Sequence, residues 1–178
     1  GHLHILDRQE DVITNTDGEI IYPRLVENEL KSSPYIQEAV CFGKDKPYMT
    51  AILNIDMNSV GRWADKNRIL YTEYSDLSRN PKVVELIEQQ VEQLMSKLSP
   101  QNRVKKFSIL HKQFTADQGE LTRTLKIRRN FVEQKYKILL DGMYSDTQEV
   151  SLTSSQMESV EEEVSLRVIQ LKIEQGVA

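Results

Sequence analysis

The sequence predicts an α+β fold, with a small β-hairpin, a mainly three-stranded sheet covered by helices, and an acidic C-terminal tail. Short apolar or alternating segments, which are typical of strands, are interleaved with segments whose apolar residues repeat at helical spacing. The chain has 178 residues, of which 39% are hydrophobic, enough for one domain with a modest core.

The N-terminal part is predicted to form short strands. Residues 2–7 alternate in the manner of a strand. Residues 12–14 and 19–21 flank Asp17-Gly18, which is a strong signal for a two-residue turn. We therefore expect a β-hairpin here.

A helix and two central strands are predicted next. Pro23 opens the helix, and the Ser-Ser-Pro sequence at residues 32–34 ends it. Two apolar runs, residues 36–42 and 48–55, follow and are expected to pair as central strands.

Further helices and a third sheet strand complete the predicted domain. A helical stretch runs from about residue 59 to 66, and Asn80-Pro81 begins an amphipathic helix that ends before Pro100. Residues 104–110 alternate as a strand. The last helix is marked by apolar residues at helical spacing, namely Val132, Tyr136, Leu139 and Met143.

The C-terminal tail, residues 144–178, differs in composition from the rest. Ser, Thr, Gln and Glu dominate up to residue 163, and weak helical spacing follows at Val164, Val168 and Leu171. This pattern predicts an acidic linker with an optional terminal helix. Alternating apolar residues in the same segment also fit a strand, namely Leu166, Val168, Ile169, Leu171 and Ile173.

Charge is distributed unevenly along the chain. The net charge is −4, yet residues 103–137 hold ten Lys or Arg against three Asp or Glu. Such a basic field suits a polyanion, whether a nucleotide, coenzyme A or a nucleic acid, while plain solvation is the alternative for each lysine alone. The single cysteine, Cys41, excludes an internal disulfide, fits a reducing cytosol, and is expected to be buried and inert.

The most informative segment is residues 119–129, with the sequence Gly-Glu-Leu-Thr-Arg-Thr-Leu-Lys-Ile-Arg-Arg. It is a polar loop that carries Lys126 before a basic, helix-like run. A lysine on such a loop is a compact cation on a flexible stem that can be brought to an anion. A phosphate-binding P-loop fits this segment poorly, because Gly119 is not followed by the second glycine and Lys-Ser/Thr that such a loop requires.

Two segments together resemble the mobile C-terminal domain of AMP-forming acyl-CoA synthetases, in particular the long-chain fatty-acid type. They are the lysine loop and the N-terminal sequence Asp-Arg-Gln-Glu-Asp at residues 7–11, followed by Thr-Asn-Thr-Asp-Gly-Glu at residues 14–19. Similar order continues over about residues 1–143, with residues 61–81 typical of the long-chain members. The resemblance implies a hinge strand at residues 1–10, a mobile domain at 11–143, and the tail at 144–178.

The resemblance also implies roles for individual residues. Lys126 would be catalytic and contact AMP or ATP, Arg8 would contact the ribose of the adenylate, and Glu10 would be the hinge. The coenzyme A contacts would be Thr16, Gly18 and Glu19. ATP, coenzyme A and a fatty acid would be substrates, and Mg²⁺ would be held by a large N-terminal domain rather than by this chain. The isolated domain would be nearly inactive, in a cytoplasmic enzyme whose peripheral attachment to the inner membrane face is left open.

Three alternatives compete with this interpretation. An aryl-CoA ligase or a non-ribosomal adenylation domain shares both motifs. A nucleic-acid-binding module would use Arg123, Lys126, Arg128 and Arg129 on phosphates, but few aromatic residues are interleaved with them and the pI is near 5.5, so no nucleic acid is expected. A pure interaction domain would dock a partner through the tail.

Overall fold

A four-stranded mixed sheet forms the centre of the domain in the computed structural model, which describes residues 12–152 and 163–172. The strands are β1 (Ile13–Thr14), β2 (Ile20–Ile21), β3 (Ile36–Phe42), β4 (Met49–Ile55), β5 (Val104–Ile109), β6 (Glu149–Leu152), β7 (Val164–Arg167) and β8 (Ile169–Gln170). The helices are α1 (Pro23–Lys31), α2 (Met57–Lys66), α3 (Tyr74–Arg79), α4 (Pro81–Met95), α5 (Arg129–Lys135) and α6 (Lys137–Met143). A 3₁₀ turn spans Pro100–Asn102. The predicted α+β class is confirmed.

The central sheet has the order β3-β4-β5-β8. β3 and β4 are antiparallel, as the two apolar runs predicted, and β5 lies parallel to β4 after a crossover through three helices. Every residue of β4 is buried, because both faces of this inner strand are covered.

The two faces of the sheet build two apolar clusters. Alternate residues such as Ala39 and Leu53 face α1, α2 and α4, whereas Val40 and Ile52 face α5, α6 and the β6–β7 hairpin. The long helix α4 begins where the sequence indicated, because the Asn80 side chain accepts the Lys82 backbone N–H at 2.9 Å.

The predicted N-terminal hairpin is confirmed, but its turn is longer than two residues. β1 and β2 pair through Ile13 with Ile21 and Thr14 with Ile20, which leaves a loop of residues 15–19. Within this loop the Gly18 N–H donates to the Asn15 carbonyl at 3.1 Å, and Gly18 itself has a φ of 78°, the left-handed conformation that glycine adopts readily.

The described part of the tail forms strands, and not the terminal helix that was one of its two predicted structures. β6 and β7 form an antiparallel hairpin, and β8 adds a fourth strand to the sheet that we expected to have mainly three. These segments form strands because every second side chain along them is buried against the domain. These apolar side chains complete the second cluster, namely Val150, Leu152, Val164 and Leu166.

Two further differences concern the chain ends and the last helix. The predicted strand at residues 2–7 lies outside the described residues. The predicted final helix is divided into α5 and α6 at Tyr136, whose φ of −106° departs from helical geometry. Over residues 12–152 and 163–172, we find no helix with the length and apolarity required to cross a bilayer.

Candidate functional site

Lys126 lies on a tight loop whose two ends, Leu121 and Ile127, pair as a single antiparallel bridge. The Thr122 backbone N–H donates to the Lys126 carbonyl at 2.8 Å, and the Thr122 hydroxyl accepts the Lys126 backbone N–H at 3.1 Å. Thr122 therefore closes the loop with both its backbone and its side chain. The Lys126 side chain is exposed, and no hydrogen bond or ion pair engages its ammonium in the part of the chain that the structure describes.

The tip of this loop adopts an unusual backbone conformation. Leu125 has a φ of 63°, and its N–H donates to the Thr122 carbonyl at 2.9 Å. Left-handed backbone is uncommon for a branched residue, because its Cβ approaches the carbonyl oxygen. The Leu125 side chain is 68% exposed, so packing against the described residues offsets little of the cost of this conformation.

A buried carboxylate, Glu120, anchors the base of the lysine loop. Its side chain has 0% exposure and accepts hydrogen bonds from the Tyr136 hydroxyl and, at 3.2 Å, from the Thr115 backbone N–H. Lys112 and Lys135 approach its two oxygens at 3.6 and 3.5 Å. Burial raises the pKa of Tyr136, and the Glu120 charge beside it raises it further, so the phenol stays protonated and donates.

Backbone contacts extend this anchor to both ends of the loop. The Glu120 carbonyl accepts the Arg128 N–H at 2.9 Å, and the Arg128 guanidinium donates to the Gly119 carbonyl at 3.1 Å. Gly119 has a φ of 79°, and a Cβ there would lie 2.9 Å from the Phe131 ring. Glycine is therefore favoured at this position by the left-handed backbone, and an added Cβ would also require the Phe131 ring to shift.

Arg129, the first residue of α5, binds to residues of α1 and β3. Its guanidinium makes a two-pronged contact with the Glu27 carboxylate and donates to the Cys41 carbonyl at 2.8 Å. Glu27 also accepts the Cys41 N–H at 3.1 Å. Burial raises the pKa of Glu27, and the Arg129 charge partly offsets this. The contact fixes the helix that follows the lysine loop against the sheet.

The hairpin loop is organised by Asn15, a buried side chain. The Asn15 Oδ1 accepts hydrogen bonds from the backbone N–H groups of Asp17 at 3.0 Å and Glu19 at 2.9 Å. The backbone N–H of Asn15 donates to the Glu19 carbonyl at 3.0 Å. The Thr16 N–H donates to the Lys46 carbonyl at 3.1 Å. Thr16, Gly18 and Glu19 are thereby held exposed on a defined loop.

Each loop borders its own groove. A groove of about 250 Å³ beside the hairpin loop is lined by Asn15, Asp17 and Glu19 on one side and by Arg103 and Lys105 on the other. A second groove, of about 660 Å³, is lined by the start of the hairpin and by the end of the lysine loop, including Val12, Ile13, Ile127 and Arg128.

The structure thus places the sequence-predicted site residues on two separate loops. Lys126 is on one loop, and Thr16, Gly18 and Glu19 are on the other; no hydrogen bond joins these loops within the described ranges. Arg8 and Glu10 lie outside the described residues.

Sequence reasoning missed Glu120, Asn15 and Glu27. The signal for Asn15 was present, because an Asn-x-Asp-Gly pattern is typical of a side chain that caps its own turn. Glu120 gave only a weak signal, as an acidic residue within a basic segment. Cys41 is buried as predicted, and its burial raises the pKa of the thiol well above its usual value.

Comparisons with known proteins place these loops in context. A family model described as the AMP-binding enzyme C-terminal domain matches residues 10–148. A long-chain-fatty-acid–CoA ligase of Mycobacterium tuberculosis, FadD15, is 31% identical over 146 residues, which cover 82% of this chain and 24% of that protein. Long-chain-fatty-acid–CoA ligase 1 of Homo sapiens is 30% identical over 148 residues, covering 82% of this chain and 21% of that protein.

Among solved structures, the adenylation domain of a carboxylate reductase from Mycobacterium chelonae superposes with a TM-score of 0.63. It is 21% identical, and the match covers 79% of this chain and 20% of that chain, so this likeness shows the fold. The chain spans about a quarter of the length of the curated relatives it matches. Since the family model extends over most of the chain, from before the hairpin to the start of the tail, the chain belongs to the family of AMP-binding enzyme C-terminal domains.

Proposed function

We propose that this chain is the C-terminal domain of an ATP-dependent, AMP-forming long-chain fatty-acid–CoA ligase. The observation that carries this proposal is Lys126, an exposed ammonium without a partner in the described part of the chain, on a loop whose base is fixed by Glu120. Support for the acyl class comes from the two long-chain-fatty-acid–CoA ligases at 31% and 30% identity.

The proposed reaction has two steps. First, a fatty-acid carboxylate oxygen attacks the α-phosphorus of ATP, pyrophosphate leaves, and an acyl-adenylate forms. Second, the thiol of coenzyme A loses its proton, its sulfur attacks the acyl carbon, and AMP leaves as the thioester forms. The ATP and its Mg²⁺ would be held by a large N-terminal domain. Over residues 12–152 and 163–172, we find no group of three His, Cys, Asp or Glu side chains arranged for a metal ion.

Lys126 would act in the first step. The attack brings two anions together, and negative charge builds up on the phosphoryl oxygens, where a positioned ammonium stabilises the transition state. The loop suits this task because its ends are held by Thr122 and by the Glu120 anchor, whereas the ammonium itself is exposed. No partner within the described residues has to be given up when the ammonium binds an anion.

The hairpin loop would act in the second step. Thr16, Gly18 and Glu19 would contact coenzyme A after the domain has rotated about Glu10, and Arg8 would contact the ribose of the adenylate. The bare backbone at Gly18 permits close approach of a ligand, since open space surrounds the position of a Cβ there. The neighbouring groove with Arg103 and Lys105 adds positive charge beside this loop.

The intramolecular contacts of the basic side chains argue against the alternative that this domain binds nucleic acid. Six of the ten cations in residues 103–137 are bound by carboxylates or backbone carbonyls of the described domain, namely Arg103, Lys106, Lys112, Arg128, Arg129 and Lys135. The last four support the lysine loop and the helix after it, which explains their clustering without an external polyanion. We expect the parent enzyme to act in the cytoplasm.

The experiment that tests this function uses a full-length enzyme carrying this domain. We expect ATP–pyrophosphate exchange to require only a long-chain fatty acid, and sustained formation of AMP to require coenzyme A as well. An aromatic acid and a set of amino acids serve as matched alternative substrates. Preferential turnover of an aromatic acid or an amino acid would assign the domain to an aryl-CoA ligase or a non-ribosomal adenylation enzyme. Formation of ADP, or absence of any acid-dependent AMP, would reject the proposed reaction.

A further inference from the structure

The hairpin loop, residues 15–19, is hydrogen-bonded to the rest of the domain through the turn between β3 and β4, residues 43–48. The Thr16 N–H donates to the Lys46 carbonyl at 3.1 Å, and the Asp45 N–H donates to the carbonyl of Thr14, the residue before the loop, at 3.0 Å. The other backbone hydrogen bonds of residues 15–19 in the described part of the chain stay within the loop. The position of the hairpin loop therefore depends on the position of the β3–β4 turn.

The hydroxyl of Tyr144, the first residue after α6, lies between the two ends of this turn. It is 3.2 Å from the carbonyl oxygen of Tyr48 and 3.5 Å from that of Phe42, the last residue of β3. The Thr50 hydroxyl lies 3.2 Å away and can donate its own proton, which leaves the Tyr144 proton for a carbonyl. Burial raises the pKa of Tyr144 to about 12, so this hydroxyl remains a donor at neutral pH.

Tyr48 makes the reciprocal contact to the end of α6. Its hydroxyl donates to the Met143 carbonyl at 2.8 Å, and its ring centroid lies 5.0 Å from that of Tyr144. The Lys46 ammonium lies 5.0 Å from the Tyr144 ring centroid, within the range of a cation–π contact. Lys46 therefore contacts the Tyr144 ring with its side chain and holds Thr16 with its backbone carbonyl. We call Tyr48 and Tyr144 the tyrosine pair.

The lysine loop is held by other contacts. Its base is fixed by Glu120, which binds the Tyr136 hydroxyl and lies against two lysines. Over residues 12–152 and 163–172, no hydrogen bond joins the tyrosine pair to residues 119–128. Loss of the tyrosine pair should therefore loosen the hairpin loop and leave the lysine loop in place.

We propose that Tyr48 and Tyr144 are positioning residues for the hairpin loop and thereby set the affinity for coenzyme A in the second half-reaction. This inference rests on the proposed function. The two side chains act by fixing the β3–β4 turn, and with it the backbone of Thr16, rather than by contacting the ligand themselves. A ligand that binds a loop already held in its bound conformation avoids the entropy cost of ordering it. The tyrosine pair should therefore affect coenzyme A and not the first half-reaction.

The kinetic test uses a full-length enzyme carrying this domain and follows conversion of supplied acyl-adenylate to acyl-CoA at varied coenzyme A. Tyr144→Ala is expected to raise the KM for coenzyme A by about tenfold. Tyr144→Phe keeps the ring and loses only the hydroxyl, so the expected rise is about threefold. Both variants should keep kcat and fatty-acid-dependent ATP–pyrophosphate exchange near the wild-type values. An equal fall of both half-reactions with the KM unchanged would reflect lost folded enzyme and overturn the inference.

Amide hydrogen exchange of the same full-length variants gives a readout that does not depend on activity. Backbone amides of residues 14–19 should exchange faster in Tyr144→Ala than in the wild type, because the turn that holds them is loosened. Amides of residues 119–128 should exchange at the wild-type rate. Faster exchange of both segments to the same extent would show general destabilisation, which contradicts a specific positioning role.

Tyr74 provides a matched control. It is half-buried like Tyr144, and its hydroxyl accepts the Ile55 N–H at 3.0 Å in another part of the domain. Tyr74→Phe also removes a phenolic oxygen with a hydrogen bond, yet it should leave the KM for coenzyme A unchanged. A rise in KM equal to that of Tyr144→Phe would mean that the effect is not specific to the tyrosine pair, and the inference would be wrong.

The outcomes separate this inference from the function on which it rests. If Lys126→Ala abolishes ATP–pyrophosphate exchange but Tyr144→Ala leaves the KM for coenzyme A unchanged, the positioning inference is wrong and the proposed adenylation function stands. This holds whether or not the amides of residues 14–19 exchange faster. If Lys126→Ala leaves ATP–pyrophosphate exchange unchanged, the proposed function fails, whatever the tyrosine variants do.

Discussion

The Tyr136 hydroxyl donates a hydrogen bond to the buried carboxylate of Glu120 directly beneath the lysine loop. This contact joins Tyr136, at the end of α5, to Glu120, near the start of the segment that leads to Lys126. Two lysines, Lys112 and Lys135, complete the surroundings of the same carboxylate. The loop therefore combines an exposed cationic tip with a base that is held by a buried charged network.

Glu120→Ala is expected to destabilise the domain by roughly 3–5 kcal/mol, because it leaves Lys112 and Lys135 half-buried or buried without their counter-charge. Urea denaturation of the isolated domain measures this. Glu133→Ala, which removes an exposed carboxylate from α5, is the matched control and should change the free energy of unfolding by less than about 0.5 kcal/mol. Equal effects of the two substitutions would show that Glu120 is not an anchor.

Arg129→Lys is expected to cost about 1–3 kcal/mol although the charge is kept. A lysine cannot reproduce the two-pronged contact with Glu27 together with the donation to the Cys41 carbonyl. Arg123→Lys, on the exposed tip of the lysine loop, is the control and should be neutral. If both substitutions are neutral in urea denaturation, the Glu27 contact contributes no specific geometry.

Gly142→Ala is expected to destabilise the domain by roughly 1–3 kcal/mol, although alanine favours a helix more than glycine does. The added Cβ would collide with the Val150 side chain where β6 packs on α6. Val150→Ala removes the obstructing methyl groups, so the double variant should recover part of the loss in a double-mutant cycle. A stabilising Gly142→Ala would mean that β6 does not lie against α6.

His111 predicts a pH dependence of stability. Burial, assisted by the nearby charges of Lys112 and Arg79, lowers the pKa of His111 to about 4 from its ordinary 6.5. The unfolded chain then binds a proton between these pH values that the folded chain does not, so stability falls as the pH is lowered through that window. Urea midpoints measured between pH 7 and pH 4 should fall less steeply for His111→Gln. An unchanged slope in this variant would contradict the lowered pKa.

Sequence patterns could predict the elements whose burial is regular. The runs that became β3 and β4 are mostly apolar and mostly buried, and Asn80-Pro81 marks the start of α4 by local chemistry alone. The tail was harder, because Val164, Val168 and Leu171 are compatible with a helix until Leu166 and Val150 are seen to fill the second cluster. That cluster joins segments that lie far apart in the chain, from Val40 to Leu166, and no local pattern encodes this.

In the candidate site, too, some features could be predicted from local sequence and others depend on contacts between distant segments. Lys126 and Gly18 could be singled out from local sequence, since a polar lysine loop and an Asp-Gly turn are short-range signals. The contacts of Glu120 with Tyr136 and of Glu27 with Arg129 join segments 16 and 102 residues apart, so only the folded chain brings them together. Sequence could therefore indicate the exposed tips of the loops but not what holds them.

The most direct test of the central claim compares Lys126→Ala with Arg123→Ala in a full-length enzyme carrying this domain. Both substitutions remove an exposed cation from the same loop. Fatty-acid-dependent ATP–pyrophosphate exchange should fall by about 100-fold or more in Lys126→Ala and stay near the wild-type rate in Arg123→Ala, while conversion of supplied acyl-adenylate to acyl-CoA persists in both. Exchange at the wild-type rate in Lys126→Ala would contradict the account, because the lysine loop would then be a solvated surface loop.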